Sequence, residues 1–272
     1  MIDLQGSSTS GDASSREWNA AAYHAVSDPQ FAWGLRVLDR VQLAGDENAL
    51  DAGCGSGRLT KELASRIPAG SVVACDLSVN MARAAAHTLR GVRTTPVVCA
   101  DLAALPFSSR AFDLIFSTAT FHWIQDHDRL FAELRAALRD GGRMEAQCGG
   151  GPNLAVIHAR AGALAAEPTF QACFSAWREP WRFATSEDTE RRLLQAGFRS
   201  AHCWLEHAPT RFPDADRFRA FIEAVVLRPY LAKLSTADLR ERFVDALVAQ
   251  AKEDDPSFTL DYWRLNISAA TI

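Results

Sequence analysis

Two apolar rhythms follow one another along the chain. Apolar residues at 18, 21, 22 and 25, then 31, 35 and 38, recur at three- and four-residue steps, the period of one helix face. Short apolar runs then take over, each closed by a polar residue and followed by a helical stretch. Residues 49–51 form the first strand and run into a glycine loop. A helix over 57–67 follows, stopped by Pro68 and Gly70. A second strand over 72–75 ends at Asp76, and the next helix starts after Ser78, a good N-cap residue. Strands over 97–99, 112–117 and 143–148 complete the series, the third ending at Asp101. Apolar positions 130, 131, 134, 137 and 138 make one face of a helix between the last two strands. Strands alternating with helices build a parallel sheet covered on both faces.

Beyond residue 151 the pattern lengthens into helices over 153–166, 186–196, 214–227 and 235–252, interrupted by possible strands over 199–207 and 258–267. The placement of these strands suggests sheet edges, with helical cap segments at about 151–183 and 210–256. Residues 1–15 are rich in Ser and Gly and read as a disordered tail, so the folded domain spans 16–272. With 272 residues, 48% of them hydrophobic and 23% charged, the chain buries a core without disulfide or metal staples.

A net charge of −4, with no basic tract beyond Arg191-Arg192, argues against a nucleic acid partner, whose phosphates demand a positive face. No apolar run reaches the ~18 residues of a membrane span and the N-terminus has no signal-peptide pattern, so a cytoplasmic protein with no membrane partner is expected. The six cysteines stand singly, several in apolar runs, and read as buried free thiols. No metal-ligand spacing appears among cysteines and histidines.

Candidate chemistry begins at Asp51-Ala-Gly53-Cys-Gly55-Ser-Gly57, between a strand and a helix. Glycines let a backbone turn sharply and approach a ligand, and the helix start offers N–H groups to an anion. The spacing is G-x-G-x-G, whereas dinucleotide pyrophosphate sites favour G-x-G-x-x-G, so a smaller anion such as an amino-acid carboxylate suits it better and a nicotinamide-dependent oxidoreductase is disfavoured. Asp76 closes the second strand, where an acid can accept from both hydroxyls of a ribose. Asp101, followed by Leu102, closes the third, where a carboxylate and a neighbouring amide can meet an adenine.

ALDAGCGSG, CDLS, CADLAALPF and FDLIFSTATFHWI, in this order and spacing, resemble the successive motifs of class I S-adenosyl-L-methionine (SAM)-dependent methyltransferases. The resemblance implies an α/β fold: a Rossmann-like, doubly wound, seven-stranded sheet with its last strand antiparallel, and here a helical cap inserted near the C-terminus. It also implies SAM across the carboxyl ends of the first strands, with Gly53, Gly55 and Gly57 at the methionyl part and Asp76, followed by Leu77, at the ribose. Asp101 and Leu102 fall at the adenine, Asp51 orients the loop or the amino group, and Ser117 lies near the transferred methyl.

A narrower resemblance, carried by WNAAAYHAVSDPQFAWGLRVL, FHWIQDHDRLF and LRPYLAKLSTADLRERFVDAL, is to the trans-aconitate methyltransferase group, which esterifies small acids. The chain departs from that group at Thr118–Trp123, where substrate should sit, so the acceptor need not be aconitate. The expected partner is a small-molecule acceptor, either a carboxylate or a phenol, amine or lipid-like natural product. A SAM-binding module without transferase activity is the reading from another class.

Outside the cofactor motifs, His122 falls next to the methyl position, as a base or as a pocket wall. Trp18 and Tyr23 precede the domain and either close over SAM or pack as ordinary helix residues. Pro229 should end the preceding helix and leave Arg228 facing the cleft, where its planar fork, with Tyr230, suits a carboxylate. The plainer reading pairs Arg228 with Glu223. His127 and His158, like the remaining histidines, are expected at the surface or in caps.

Overall fold

The computed structural model describes residues 17–20, 27–92 and 95–272. Among them the order of elements is α1 (Asp28–Arg40), β1 (Asn48–Ala52), α2 (Arg58–Arg66), β2 (Ser71–Asp76), α3 (Val79–Thr88), β3 (Val97–Cys99), β4 (Phe112–Thr118), α4 (His127–Ala137), β5 (Leu138–Gly149), α5 (Ala155–Ala165), α6 (Ser186–Gln195), β6 (Ser200–His207), β7 (Thr210–Arg211), α7 (Ala215–Phe221), α8 (Arg228–Leu231), α9 (Ala237–Lys252), β8 (Thr259–Leu260) and β9 (Trp263–Ala270). Seven strands form one sheet in the order β3-β2-β1-β4-β5-β9-β6. β1 pairs in parallel with β2 and β4, β2 with β3, and β4 with β5, whereas β9 runs antiparallel to β5 and β6.

The chain steps outward from β1 through β2 to β3, then returns to lay β4 on the other side of β1. Ligands of open α/β sheets bind in the crevice at such a reversal, outside the carboxyl ends of the strands. The central strands owe their position to composition. Leu50 and Ala52 point to one side and Ala49 to the other, all of them buried, as a strand covered on both faces requires.

Helix starts follow local chemistry. Ser78 Oγ accepts from the Met81 amide at 3.2 Å, and Asp126 accepts from Arg129 N at 3.0 Å. On one side of the sheet Leu130, Phe131 and Leu134 of α4 pack with Leu50, Ile115 and Met144. On the other, Val37 and Leu38 of α1 and Leu63 of α2 meet Leu114 and Phe116. A separate, aromatic-rich core joins α5, α7, α8 and α9, with Phe170, Phe174, Phe218, Phe221, Tyr230 and Phe243 inside it.

Several expectations need correction. The run 258–267 holds β8 and most of β9, and β9 lies inside the sheet between β5 and β6; of the two expected edge strands only the one over 199–207, β6, is an edge. The β9 row Leu265, Ile267 and Ala269 faces the α4 side and is buried, which makes an inner position favourable. The helix expected over 214–227 is α-helical only to Phe221 and widens to a π-turn over Ile222–Val226. Cys99, in an apolar run, is exposed, while Cys54, Cys75, Cys148 and Cys203 are buried free thiols. Among the described residues no helix is long and apolar enough to cross a membrane.

Candidate active site

The glycine loop turns over the end of β1, held by the amides of Gly53 and Cys54, which donate to the Cys75 carbonyl at 2.8 and 2.9 Å. Its glycines face different neighbours. Gly53 has φ +85°, and a Cβ there would lie 2.1 Å from Thr120 Oγ1, so this residue lets the β4 side of the crevice close against β1. Gly55 has φ +53°, and a Cβ there would meet nothing within 4 Å, so its bare face looks onto open space at the crevice. Gly57 caps α2 and packs toward Ala85 of α3.

Beneath the loop, Asp51 is 2% exposed and accepts from Thr60 Oγ1 at 2.6 Å, tying β1 to α2. Burial pushes its pKa up to about 7, opposed by the Thr60 bond and reinforced by the nearby Asp76 charge. Asp76 accepts from Gly55 N and Ser78 N, both at 2.9 Å, one on each carboxylate oxygen. Burial raises its pKa while those two amides pull it down. A carboxylate offers about four acceptor positions, so even with the Leu77 amide acting on it as well the group keeps acceptor capacity. Leu77, beside it, leaves 42% of its surface exposed. Asp101 accepts from Ala103 N at 2.9 Å and is exposed at the end of β3, whereas the Leu102 side chain is buried.

A short N-terminal segment closes this wall. The Glu17 carboxylate accepts from Ser78 Oγ at 3.0 Å and from the amides of Val79 and Asn80 at 3.1 and 3.2 Å, at the N-terminus of α3. The Asn80 amide, with Ser78 and Val79, holds its pKa below the ordinary value, as a helix N-terminus does for an anion. Trp18 stands edge-on to Trp123, with ring centroids 5.3 Å apart. Tyr23 lies outside the described residues.

Across the crevice, β4 ends in a 3-10 turn, Phe121–Trp123. His127 Nε2 bonds the Phe121 carbonyl at 3.1 Å, and the Arg182 amide donates to the His122 carbonyl at 2.8 Å. The His122 ring is fixed from behind, with Gly149 N–H donating to its Nδ1 at 3.2 Å. A neutral imidazole that accepts at Nδ1 carries its proton on Nε2. Burial drives its pKa down to about 3, with His127 and His158 adding to the shift, so the ring stays neutral and acts as a donor. Ser117, expected at the methyl, is 1% exposed and donates its hydroxyl to the Ala52 carbonyl at 2.6 Å, joining β4 to β1.

Arg228 begins α8, and Pro229 follows it in the first turn, so the proline starts a new helix as well as interrupting the old one. The expected partner Glu223 is taken by Arg219 at 3.3 Å. The Arg228 guanidinium instead lies 4.1 Å from the Trp18 ring and 5.6 Å from that of Trp123, and Nη1 donates to the Glu17 carbonyl at 3.0 Å. Burial lowers its pKa, but a guanidinium keeps its charge. Tyr230 is 2% exposed, stacked on Trp177 at 4.5 Å, and burial pushes its phenol up to about 12.

Of the histidines expected at the surface or in caps, His127 is 2% exposed in the first turn of α4, and the half-buried His158 ring lies against Trp181 at 4.3 Å. Sequence reasoning passed over Glu17 and Phe183, and reached Thr120 only as part of the Thr118–Trp123 segment, where substrate was expected.

Comparison with known proteins agrees with this arrangement. The methyltransferase domain family matches residues 50–146. A malonyl-[acyl-carrier protein] O-methyltransferase of Geobacter sulfurreducens is 32% identical over 220 residues, covering 76% of each chain. A trans-aconitate 2-methyltransferase of Deinococcus radiodurans is 28% identical over 255 residues, covering 90% of this chain and 94% of its own. Phosphoethanolamine N-methyltransferase 2 of Haemonchus contortus, solved with phosphomonomethylethanolamine and S-adenosylhomocysteine, shares the fold at a TM-score of 0.60 and 20% identity; 93% of this chain covers 57% of that one. The open face of Gly55 and the spare acceptor positions of Asp76 fit the cofactor of this family. The chain belongs to the class I SAM-dependent methyltransferases.

Proposed function

We propose that this enzyme forms methyl esters on the carboxylate of a small-molecule acid. The observation that carries the reading is the hydrogen bond from Gly149 N–H to His122 Nδ1. It leaves the best-placed histidine with a proton to give and no lone pair to accept one. Tyr230, pushed up to about 12, and His158, pushed down to about 4 by burial, do not serve as bases near neutrality either. SAM supplies a methyl group already activated on a sulfonium. A phenol, alcohol or ammonium acceptor must lose a proton to attack it, whereas a carboxylic acid with a pKa near ~4 arrives ionised. The relatives named above for malonyl-[acyl-carrier protein] and trans-aconitate point to acceptors of the same kind.

On this reading Asp76 receives the ribose hydroxyls, and the Gly53, Gly55 and Gly57 loop lies along the methionyl part. Asp101 and the Leu102 backbone meet the adenine, while Trp18 covers the cofactor. His122 donates from Nε2 to the acceptor or orients it, and excludes water together with Trp123. Arg228 pairs with a carboxylate of the acceptor across the Trp18–Trp123 wall, and the segments 151–183 and 210–256 form the cap over it.

The test is a panel of carboxylates, phenols and amines incubated with labelled SAM and read by mass spectrometry. The expected products are alkali-labile esters of acids, formed at a rate flat between about pH 6 and 8. Arg228→Lys should raise KM for a diacid with little effect on a neutral acceptor. Methylation of phenols or amines alone, with a rate rising through a pKa near neutrality, overturns the reading.

A further inference from the structure

Helix α5 holds an imidazole whose nitrogens are both buried and without a hydrogen-bond partner among the described residues, His158. A neutral imidazole carries one donor and one acceptor, and a folded protein rarely leaves either unmet in its interior. The ring is not loosely packed. Its centroid lies 4.3 Å from that of Trp181, 5.9 Å from Phe183 and 6.2 Å from Tyr230. Phe183 in turn lies 5.8 Å from His122, and Trp181 lies 5.9 Å from Trp123. The same aromatic wall therefore runs without a break from the turn after β4, where the proposed reaction takes place, to the His158 ring. The His158 imidazole stands at its far end.

We propose that His158 is a specificity-determining residue of the acceptor site, its ring nitrogens serving an uncharged hydroxyl or carbonyl group at the end of the acceptor remote from the methylated carboxylate. The inference rests on the ester reading above for the reacting end and adds the chemistry of the other end. Trp181 and Phe183, only partly buried, suit a flat, unsaturated or aromatic body. The neutral imidazole suits a hydroxyl, which both gives and takes a hydrogen bond, or a carbonyl, which takes one. A second carboxylate at this end would be desolvated against the rings, which is unfavourable unless a cation is paired with it. Discrimination at such a position comes from the cost of leaving a buried polar group unmet when the ligand lacks its counterpart.

The test compares cinnamate with 3- and 4-hydroxycinnamate as acceptors for the wild type, His158→Phe and His158→Gln. Phenylalanine keeps the ring face and removes both nitrogens, and glutamine keeps one donor and one acceptor. The wild type should favour one hydroxylated acid over cinnamate by about tenfold or more in kcat/KM, mainly through KM. His158→Phe should bring that ratio to about one, with S-adenosylhomocysteine affinity unchanged, and His158→Gln should restore part of it. A ratio that His158→Phe leaves unchanged overturns the proposal. Melting temperature gives a second readout independent of the acceptor: His158→Phe removes two unmet polar atoms and should hold or raise Tm. A fall of several degrees would show that the imidazole is held for the fold, and overturns the proposal as well. An alkali-stable ether at the phenol oxygen, in place of an ester, would overturn the carboxylate reading, whereas esters formed equally well from all three acids by the wild type would overturn the role of His158 alone.

Discussion

The two walls of the crevice are built on opposite plans. On the cofactor side the polar atoms are tied by backbone amides close to the strand ends: Asp76 by Gly55 and Ser78, Glu17 by Val79 and Asn80. On the proposed acceptor side the wall is mostly aromatic, with His122 bonded at one nitrogen and His158 at neither among the described residues. A site for an invariant ligand can be pre-formed in this way, because its hydrogen bonds never change. A site for a variable acceptor keeps polar capacity in reserve, and that reserve costs stability.

The largest expected effect tests how strictly the cofactor wall is pre-formed. Gly53→Ala combines a left-handed φ with a Cβ 2.1 Å from Thr120 Oγ1, and should destabilise the protein by about 3 kcal/mol or more in denaturant unfolding. Gly55→Ala, with the same hand of backbone but open space around its Cβ, should cost only ~1 kcal/mol of stability while weakening S-adenosylhomocysteine binding. Equal stability losses in the two variants would mean that the bare face of Gly55 is not where ligand approaches.

Next in size is Asp76→Ala. It removes a charged acceptor from the proposed ribose position and releases the Gly55 and Ser78 amides. Calorimetry should show S-adenosylhomocysteine binding weaker by roughly 1.5–3 kcal/mol. Unchanged affinity would remove the ribose role and leave Asp76 as a brace for the loop.

The smallest effect is a pH slope. His122 titrates at about 3 and His158 at about 4 in the folded protein, both lowered by burial, against about 6.5 in the unfolded chain. Between about pH 6.5 and 4 the unfolded chain binds these protons and the folded protein does not, so stability falls as the pH falls. Asp51, raised to about 7, opposes this, because the folded state holds its proton through the same window. His158→Phe should therefore make the acid loss shallower by about 1 kcal/mol per pH unit, and Asp51→Asn should make it steeper. Urea titrations at pH 6.5 and 5 measure both, and identical slopes in wild type and His158→Phe would show that the ring is charged in the fold.

The strand ends, the glycine loop and the cap on α3 were legible in the sequence because each depends on residues a few positions apart. A turn needs its glycines in place, and Ser78 finds Met81 three residues on. The acceptor wall was legible only in fragments. Arg228 could be placed at a helix end from Pro229, but its contact with Glu17 spans 211 residues, and the reading that paired it with Glu223 missed Arg219 one turn away. Ser117 could be placed at the end of β4 from the sequence, but that its hydroxyl donates to the Ala52 carbonyl of β1 depends on a partner 65 residues away.

The sequence by itself determined the alternation of strands and helices, the crevice at the end of β1 and the acids that border it. Periodicity and turn chemistry act over a few residues, whereas the sheet itself was implied by the family resemblance and the order of its strands is read from the structure. Only the tertiary structure decided that β9 lies inside the sheet, that His122 is a donor and that His158 faces the aromatic wall. Those outcomes depend on which distant groups take a hydrogen bond or a buried face first, and no local pattern records that competition.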